Sequence, residues 1–382
     1  MSKYLKSKLP DVGTTIFTVM SALANEHGAI NLSQGFPDFD CDEELKELVA
    51  QSMREGYNQY PPMRGIPELL DEIAKKIEFL YDLKLDPESE ITITAGATQA
   101  IYTVISAVVH PGDEVIVIDP AYDSYRPSIR VNGGIPVMYQ LRAPHFKIDW
   151  DELESLITDK TVLLIMNTPQ NPIGRTFKSH DLEALADLVE RYGFMVLSDE
   201  VYEHIIFDGQ PHESILKYDK IFANGFAVYS FGKTFHNTGW KIGYCVSPPN
   251  LTNEFRKVHQ FNVFTVNTPM QHGLAKYLGN KEKYISLPAF FQAKRDYLQQ
   301  ALVNSRLQPI ESEGTYFQLY DYSEISDLPD TEFAKLLTTK YGVAAIPISV
   351  FYHTPPNDPI IRLCFAKKES TLSLAAKKLS VI

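Results

Sequence analysis

Four short apolar runs in the middle of the chain each stop at residues able to do chemistry. Residues 115–118 lead to Asp119-Pro120-Ala121-Tyr122 and residues 162–166 to Asn167. Residues 194–197 lead to Asp199, and residues 227–229 to Ser230 with Lys233 just beyond. One such ending is commonplace and is more often a loop cap than a site. Four in a single sheet describe a crevice with a cation, an anion, an amide and a ring, because ligands of open α/β sheets bind beyond the carboxyl ends of the strands. Thr94-Ala-Gly-Ala-Thr-Gln99 then opens a helical pattern through Ile101, Val104, Ile105 and Val108. Backbone N–H groups of Gly96, Ala97 and Thr98 at that positive helix end would cradle a phosphate. The simple alternative is an ordinary N-cap by Thr94 or Thr98. Gly232-Lys233-Thr234 has the ending of a P-loop, but that motif needs a glycine where Ala227 stands inside a strand pattern, so the nucleotide-triphosphatase reading fails. Ser230, Lys233 and Lys241 together favour an anion or carbonyl ligand.

The elements that must hold these residues can be read from periodicity. Leu45, Leu48 and Val49 recur at helical spacing, as do the apolar residues of 69–80. Leu182, Leu185, Leu188 and Val189 form a further helical pattern between the second and third strand runs. Strand and helix in alternation mean βαβ units and a sheet covered on both faces. Beyond Asn250 the pattern turns helix-rich over 254–260, 271–278 and 288–304. Short β patterns follow at 315–320, 343–347 and 361–365, and a last helix at 372–379. The expected architecture is α/β: a large domain over 46–275 with a mostly parallel sheet between helices. A smaller α+β domain would combine the N-terminal arm, 1–45, with residues 276–382.

Composition excludes several classes. At 382 residues the length allows two or three domains. Apolar residues make up 44% and charged residues 22%, as in an ordinary globular protein. The 20 glycines and 24 prolines amount to about one residue in nine, an average share that rules out collagen-like or low-complexity chains. A net charge of −12 argues against a nucleic-acid binder or an anionic-membrane binder, so a site for an anionic ligand must be locally positive. Cys41, Cys245 and Cys364 are odd in number and widely spaced, which excludes a disulfide framework and any CxxC metal or redox site. A reducing cytoplasm is the simplest home. Lys3, Lys6 and Lys8 before an apolar stretch that reaches Ala22-Leu23-Ala24 imitate a signal peptide. Asp11 and Gly13 interrupt the approach, and Thr and Ser break the run, so the segment reads as folded protein. No stretch offers the ~18 uncharged apolar residues of a membrane span.

The residues also carry a family resemblance. The chain resembles the class I/II aminotransferases, fold type I of the pyridoxal-phosphate enzymes. The matching motifs are Asn31-Leu-Ser-Gln-Gly-Phe-Pro37, Asn58-Gln-Tyr-Pro61, Gly96-Ala-Thr98, Asn167-Thr-Pro-Gln-Asn-Pro172 and Ser198-Asp-Glu-Val-Tyr202. They continue with Ser230-Phe-Gly-Lys-Thr-Phe235, Gly239-Trp-Lys-Ile-Gly243 and Ile361-Arg-Leu-Cys-Phe365, in the family's order and over nearly the whole chain. Thr14-Thr-Ile-Phe-Thr18, Val266-Asn-Thr-Pro269 and Cys364-Phe-Ala-Lys-Lys-Glu-Ser370 most resemble the bacterial methionine aminotransferase group. Kynurenine and glutamine transaminases are the neighbouring group.

The resemblance implies roles. Lys233 matches the family's Schiff-base lysine, and a cationic pocket would ease loss of its proton. The freed amine would then move a proton as general base and acid. Asp199 resembles the carboxylate that keeps the pyridine nitrogen protonated, and that charge makes the ring an electron sink. Tyr202 and Asn171 would hydrogen-bond the cofactor's phenolic oxygen, and Tyr122 would stack on the ring. Phosphate contacts fall to the N–H groups of Ala97 and Thr98, the Ser230 hydroxyl and Lys241. Many relatives have arginine at the Lys241 position and a second serine at that of Gly232, and lysine lacks the bidentate fork. Tyr60 matches a tyrosine that reaches the neighbouring subunit's phosphate, which implies a homodimer with shared sites. Arg362 matches the clamp on the substrate carboxylate, with Gly35 offering its backbone N–H and Asn171 a third contact. Ile16, Phe17, Tyr60 and Phe264 would surround the substrate side chain, the last two from the partner chain. This wall is apolar and has no second arginine. It suits a thioether or aromatic substrate better than aspartate. The implied activity is transfer of an amino group from methionine, or another large neutral amino acid, to a 2-oxo acid. A C–S β-lyase on cysteine conjugates would share the same motifs. A non-catalytic regulator would need a DNA-binding module, for which neither end has room.

Overall fold

A computed structural model describes residues 6–382; Lys3, counted above in the basic start, lies outside the described residues. Seven strands build the main sheet: β1 (Ile91–Thr94), β2 (Glu114–Asp119), β3 (Ile135–Gln140), β4 (Thr161–Asn167), β5 (Met195–Asp199), β6 (Gly225–Ser230) and β7 (Gly243–Val246). Their order is β1-β7-β6-β5-β4-β2-β3. All are parallel except β7, which runs antiparallel to both neighbours. The runs that end in Ser230, Asp199, Asn167 and Asp119 therefore lie side by side, as expected from sequence.

Alternation explains why those runs are apolar throughout. Val115, Val117, Leu163, Ile165, Leu197 and Val228 point to one face, where Ile101, Val104 and Ile105 of the helix Ala97–Val108 cover them. Ile116, Ile118, Leu164, Met166, Val196 and Ala227 point to the other, beneath Leu182, Leu185 and Val189 of the helix Ser179–Tyr192. A strand buried on both faces has no solvent side to mark with polar residues. Periodicity gave no warning of β1, β3 and β7, the shorter or peripheral strands. The edge strand β3 carries Pro136 in its ladder, a residue tolerated where one side of the strand pairs with nothing.

A second, antiparallel sheet joins Ile346–Pro347, Ile360–Cys364, Phe317–Asp321 and Gln308–Pro309 in that order. The expected single β segment at 343–347 is in fact divided. Val343–Ala344 pairs in parallel with Ile30–Asn31, whereas Ile346–Pro347 pairs with Ile361 and Arg362. The arm before residue 45 is thereby stitched to the C-terminal part of the chain. The stretch that imitates a signal peptide is the helix Ile16–Glu26, capped by the Thr15 hydroxyl on the Thr18 N–H at 3.4 Å and burying Met20 and Ala24. All three cysteines are buried and unpaired. No helix among the described residues is long and apolar enough to cross a membrane.

Candidate active site

The carboxyl ends of β4, β5 and β6 open into a cavity. Lys233 rises into it from the single helical turn Phe231–Thr234 that follows β6. Its Nζ donates to the Tyr316 hydroxyl at 2.9 Å and lies 3.5 Å from the Gly35 carbonyl, which also accepts from Tyr316 at 2.5 Å. No carboxylate pairs with it among the described residues. Burial, reinforced by Lys241 and Arg362 and opposed by Asp199, pulls the Lys233 ammonium down to about 8. Asp199, the last residue of β5, is buried and accepts a 2.6 Å bond from the Tyr125 hydroxyl. Burial raises its carboxyl to about 6, with the Tyr125 bond and Lys233 opposing.

Asn167 at the end of β4 braces both neighbours. Its Nδ2 donates to the Asp199 carbonyl and its Oδ1 accepts from the Asn171 N–H, each at 2.7 Å. Asn171 in turn accepts from Arg362 Nη1 at 2.6 Å, while Nη2 reaches the Ser33 carbonyl at 3.3 Å. Arg362 is 1% exposed, and its guanidinium sits 3.8 Å from the centre of the Phe317 ring, 5.1 Å from Phe351 and 5.6 Å from Phe17. Among the described residues its Nε has no hydrogen-bond partner and no carboxylate pairs with it. Burial lowers this guanidinium to about 10. A buried, unneutralised fork of this kind suits an incoming carboxylate.

At the far wall the helix Ala97–Val108 begins at Gly96, whose φ is +79° and which no side chain caps. The Thr94 hydroxyl bonds instead to the Gly96 carbonyl at 3.2 Å, so the N-cap alternative is not realised. Lys241, itself left-handed at φ +57°, brings its ammonium over that helix start, 3.3 Å from where a Cβ on Gly96 would stand. The open helix end, Ser230 and Lys241 form one anion-binding corner of the cavity.

Comparison with known proteins agrees with this chemistry. The model of the family "Aminotransferase class I and II" matches residues 27–379. The chain belongs to the class I and II aminotransferases. The methionine aminotransferase of Escherichia coli (strain K12) is 52% identical over 375 residues, 98% of this chain and 97% of that protein. Kynurenine–oxoglutarate transaminase 1 of Mus musculus is 34% identical, covering 99% of this chain and 98% of that protein. The crystal structure that identified a methionine aminotransferase function in an Escherichia coli protein superimposes with a TM-score of 0.98, at 51% identity and 99% coverage of each chain. A Thermus thermophilus aspartate aminotransferase structure with maleate superimposes at 0.90, with 28% identity over the full length of both chains.

Aminotransferases of this family use pyridoxal 5′-phosphate, and the cavity fits it: an uncapped helix start for a phosphate, an amine without a carboxylate partner, and a buried carboxylate one strand away. Ala97, Thr98, Tyr122, Asn171, Asp199, Tyr202, Ser230, Lys233 and Lys241 all line it. Gly232 lines it too, and a Cβ there would meet the Thr238 backbone at 3.0 Å, so the serine of many relatives would not fit without movement of that backbone. Gly35 and Arg362 are not among the residues lining this cavity; they lie behind it and share Phe317 as a neighbour, a Cβ on Gly35 standing 2.8 Å from its Cζ and the Arg362 guanidinium 3.8 Å from its ring centre.

Other expectations are corrected or qualified. Asp119 does not face the cavity. Its Oδ2 accepts from the His353 N–H at 2.7 Å, and Tyr122 alone brings that strand's chemistry to the site. Ile16 lines a separate cleft, with Asp11, Asp123 and Arg130. Tyr60, 81% exposed, stands edge-on to Phe264 with ring centres 5.4 Å apart, and neither lines this chain's own cavity. Tyr125, Tyr316 and Phe317 escaped sequence reading. Tyr125 had one faint signal, its place three residues after Tyr122; the other two lay unmarked within a β pattern.

Proposed function

We propose that this aminotransferase takes methionine as amino donor, with side activity on aromatic and other large neutral amino acids, and passes the nitrogen to a 2-oxo acid. The observation that carries the proposal is the setting of Arg362. One buried guanidinium for the α-carboxylate is enclosed by Phe17, Phe317 and Phe351, and among the described residues no second cation lies over any of those three rings. A side-chain carboxylate would find no partner there, whereas a thioether gains contact with ring edges. The name of the Escherichia coli relative supports the same donor.

When bound, pyridoxal phosphate supplies an aldehyde for the amino group and a ring that accepts the electron pair of the substrate α-carbon. Lys233, brought down to about 8 so that a fraction is unprotonated at physiological pH, is the group that accepts and returns the α-proton at its Nζ. Tyr316 and the Gly35 carbonyl hold that Nζ against the cavity wall. Asp199, steadied by Tyr125, would hold a proton on the ring nitrogen. Tyr202 and Asn171 would hydrogen-bond the phenolic oxygen, and Tyr122 would cover the ring. Arg362, with Gly35 and Asn171 beside it, orients the substrate carboxylate. We assign the large cofactor-binding part to 46–275 and the smaller α+β part to 1–45 and 276–382. We further assign a cytoplasmic homodimer in which the partner subunit's Tyr60 and the partner subunit's Phe264 complete each site.

The test is the half-reaction: the holoenzyme is mixed with each of the twenty amino acids without acceptor, and loss of the coenzyme's visible band is timed. Methionine is expected to rank among the fastest donors and aspartate among the slowest; the reverse order would refute the donor assignment and leave the reaction class intact. Pyruvate and ammonia released from a cysteine conjugate faster than 2-oxo acid forms from methionine would favour the β-lyase.

A further inference from the structure

The turn after β5 reads Asp199-Glu-Val-Tyr-Glu203, and its residues divide by direction. Asp199, Val201 and Tyr202 line the cofactor cavity. Glu200 and Glu203 point away from it, and both are buried, at 0% and 6% exposure. A buried carboxylate needs partners for its oxygens, and each of these two has a full set. Glu200 Oε1 accepts from the Ser198 hydroxyl at 2.9 Å and the Ile215 N–H at 3.0 Å. Its Oε2 meets His212 Nε2 at 3.0 Å and the Tyr229 hydroxyl at 2.9 Å. Glu203 is ion-paired with Lys76 and accepts from the Tyr81 hydroxyl at 2.7 Å. Lys76 also donates to Tyr244 at 2.8 Å, and its ammonium lies over the Tyr229 and Tyr244 rings. Lys76 and Tyr81 belong to the helix Pro67–Tyr81, Tyr229 to β6 and Tyr244 to β7. The turn is thus fastened from behind to three elements that are remote from it in sequence. Two of these, β6 and β7, flank the Lys233 turn.

We infer that Lys76, Glu203 and Tyr81 are positioning residues for the reaction, an anchor that sets the aim of Tyr202 and Asp199 into the cofactor cavity. The inference rests on the roles proposed above for Tyr202 and Asp199. Its logic is geometric. On the cavity side Tyr202 meets Tyr316 edge-on at 5.2 Å and Phe317 at 6.2 Å, with the Lys233 ammonium 5.5 Å from its ring centre, and none of these ring contacts is a directional bond to its hydroxyl. Ring contacts of that kind tolerate sliding, so the phenol's direction depends on the backbone beneath it. That backbone is one residue from Glu203, and the Glu203 N–H bonds back to the Glu200 carbonyl at 3.0 Å. Loosening the anchor moves a hydroxyl that must meet a phenolic oxygen within a few tenths of an ångström. Arg362, held by Asn171 and Ser33, has no contact with this anchor.

The test follows the coenzyme's visible absorbance against pH in the holoenzyme, together with kcat and KM for methionine. Tyr202→Phe serves as the reference and is expected to move the titration midpoint by about one pH unit, since it deletes a hydrogen bond to one ionisation state of the coenzyme. Glu203→Gln is expected to move it in the same direction by about half a unit. Its kcat should fall about tenfold, with KM within about twofold. The double variant Lys76→Met with Glu203→Gln strands no buried charge and is expected to show the same signature. Tyr81→Phe, the loss of one oxygen, is expected to give a smaller shift of the same sign. A parent-like midpoint in the double variant and in Tyr81→Phe, with only the thermal midpoint lowered, would overturn the inference. If Tyr202→Phe itself left the titration unmoved, the failure would lie in the assignment of Tyr202, and the inference would fall with it.

Discussion

Lys76 and Lys233 both point into the interior, and they are opposites. Lys76 is 3% exposed and fully matched: Glu203, the Tyr244 hydroxyl and two aromatic faces account for its charge. Burial lowers the Lys76 ammonium, against the pull of Glu203, and the contact holds the Glu203 carboxyl down at about 2, so both members of the pair feel desolvation and the anion stays charged. Lys233 has a phenol and a distant carbonyl instead of a carboxylate, and burial wins, bringing its ammonium to about 8. Desolvation lowers both ammoniums; what separates them is geometry, a carboxylate in ion-pair contact with Lys76 and none with Lys233 among the described residues, which leaves Lys233 free to act as a reagent. Arg362 follows Lys233 in this respect, buried with amide and carbonyl partners only.

The strongest way to break this comparison is to remove each amine. Lys233→Ala is expected to lower methionine turnover by at least about 10⁴-fold, while Lys76→Met retains activity within about tenfold. Steady-state rates that fell equally in both would end the distinction. The next effect is on pH dependence. An amine must be unprotonated to attack an aldehyde, so coenzyme uptake by the apoprotein should rise about tenfold per pH unit from pH 6 and level off above about 8. A profile still rising at pH 10 would place Lys233 with ordinary lysines. Below about pH 6 Asp199 takes up a proton and loses its attraction for a protonated ring nitrogen, so coenzyme affinity measured by fluorescence titration should weaken there. Arg362→Lys keeps the charge and discards the fork. With a loss on the order of 2 kcal/mol, kcat/KM for methionine is expected to fall tens of fold, mostly through KM. The smallest effect is expected from Gly35→Ala, whose new methyl would crowd Phe317 from 2.8 Å. About 1 kcal/mol of overpacking predicts a KM roughly fivefold higher and an unchanged profile for coenzyme uptake.

Much of the cavity was legible in the chain because its reagents follow strands that announce themselves. Asn167, Asp199 and Ser230 each close an apolar run, and parallel pairing brings consecutive run ends together. The same rule misled at Asp119. A strand end says that a side chain lies near the crevice, not on which side of the following turn it falls, and here the His353 N–H claims the carboxylate. Tyr125, Tyr316 and Phe317 were invisible because their contacts join residues 74, 83 and 45 positions away (Asp199, Lys233 and Arg362), and no local pattern records such a pairing.

Local sequence determined the layered α/β frame, the family and the identity of the chief reagents, Lys233, Asp199 and Arg362. Periodicity and residue chemistry are properties of neighbours along the chain. Tertiary structure decided which buried charges have partners. Lys76 and Lys233 are the same residue type, and their contrast arises from what folding places within about 3 Å of each ammonium: Tyr244 and Glu203 for one, a tyrosine hydroxyl for the other. Desolvation and pairing are set by three-dimensional neighbours, and so is reactivity.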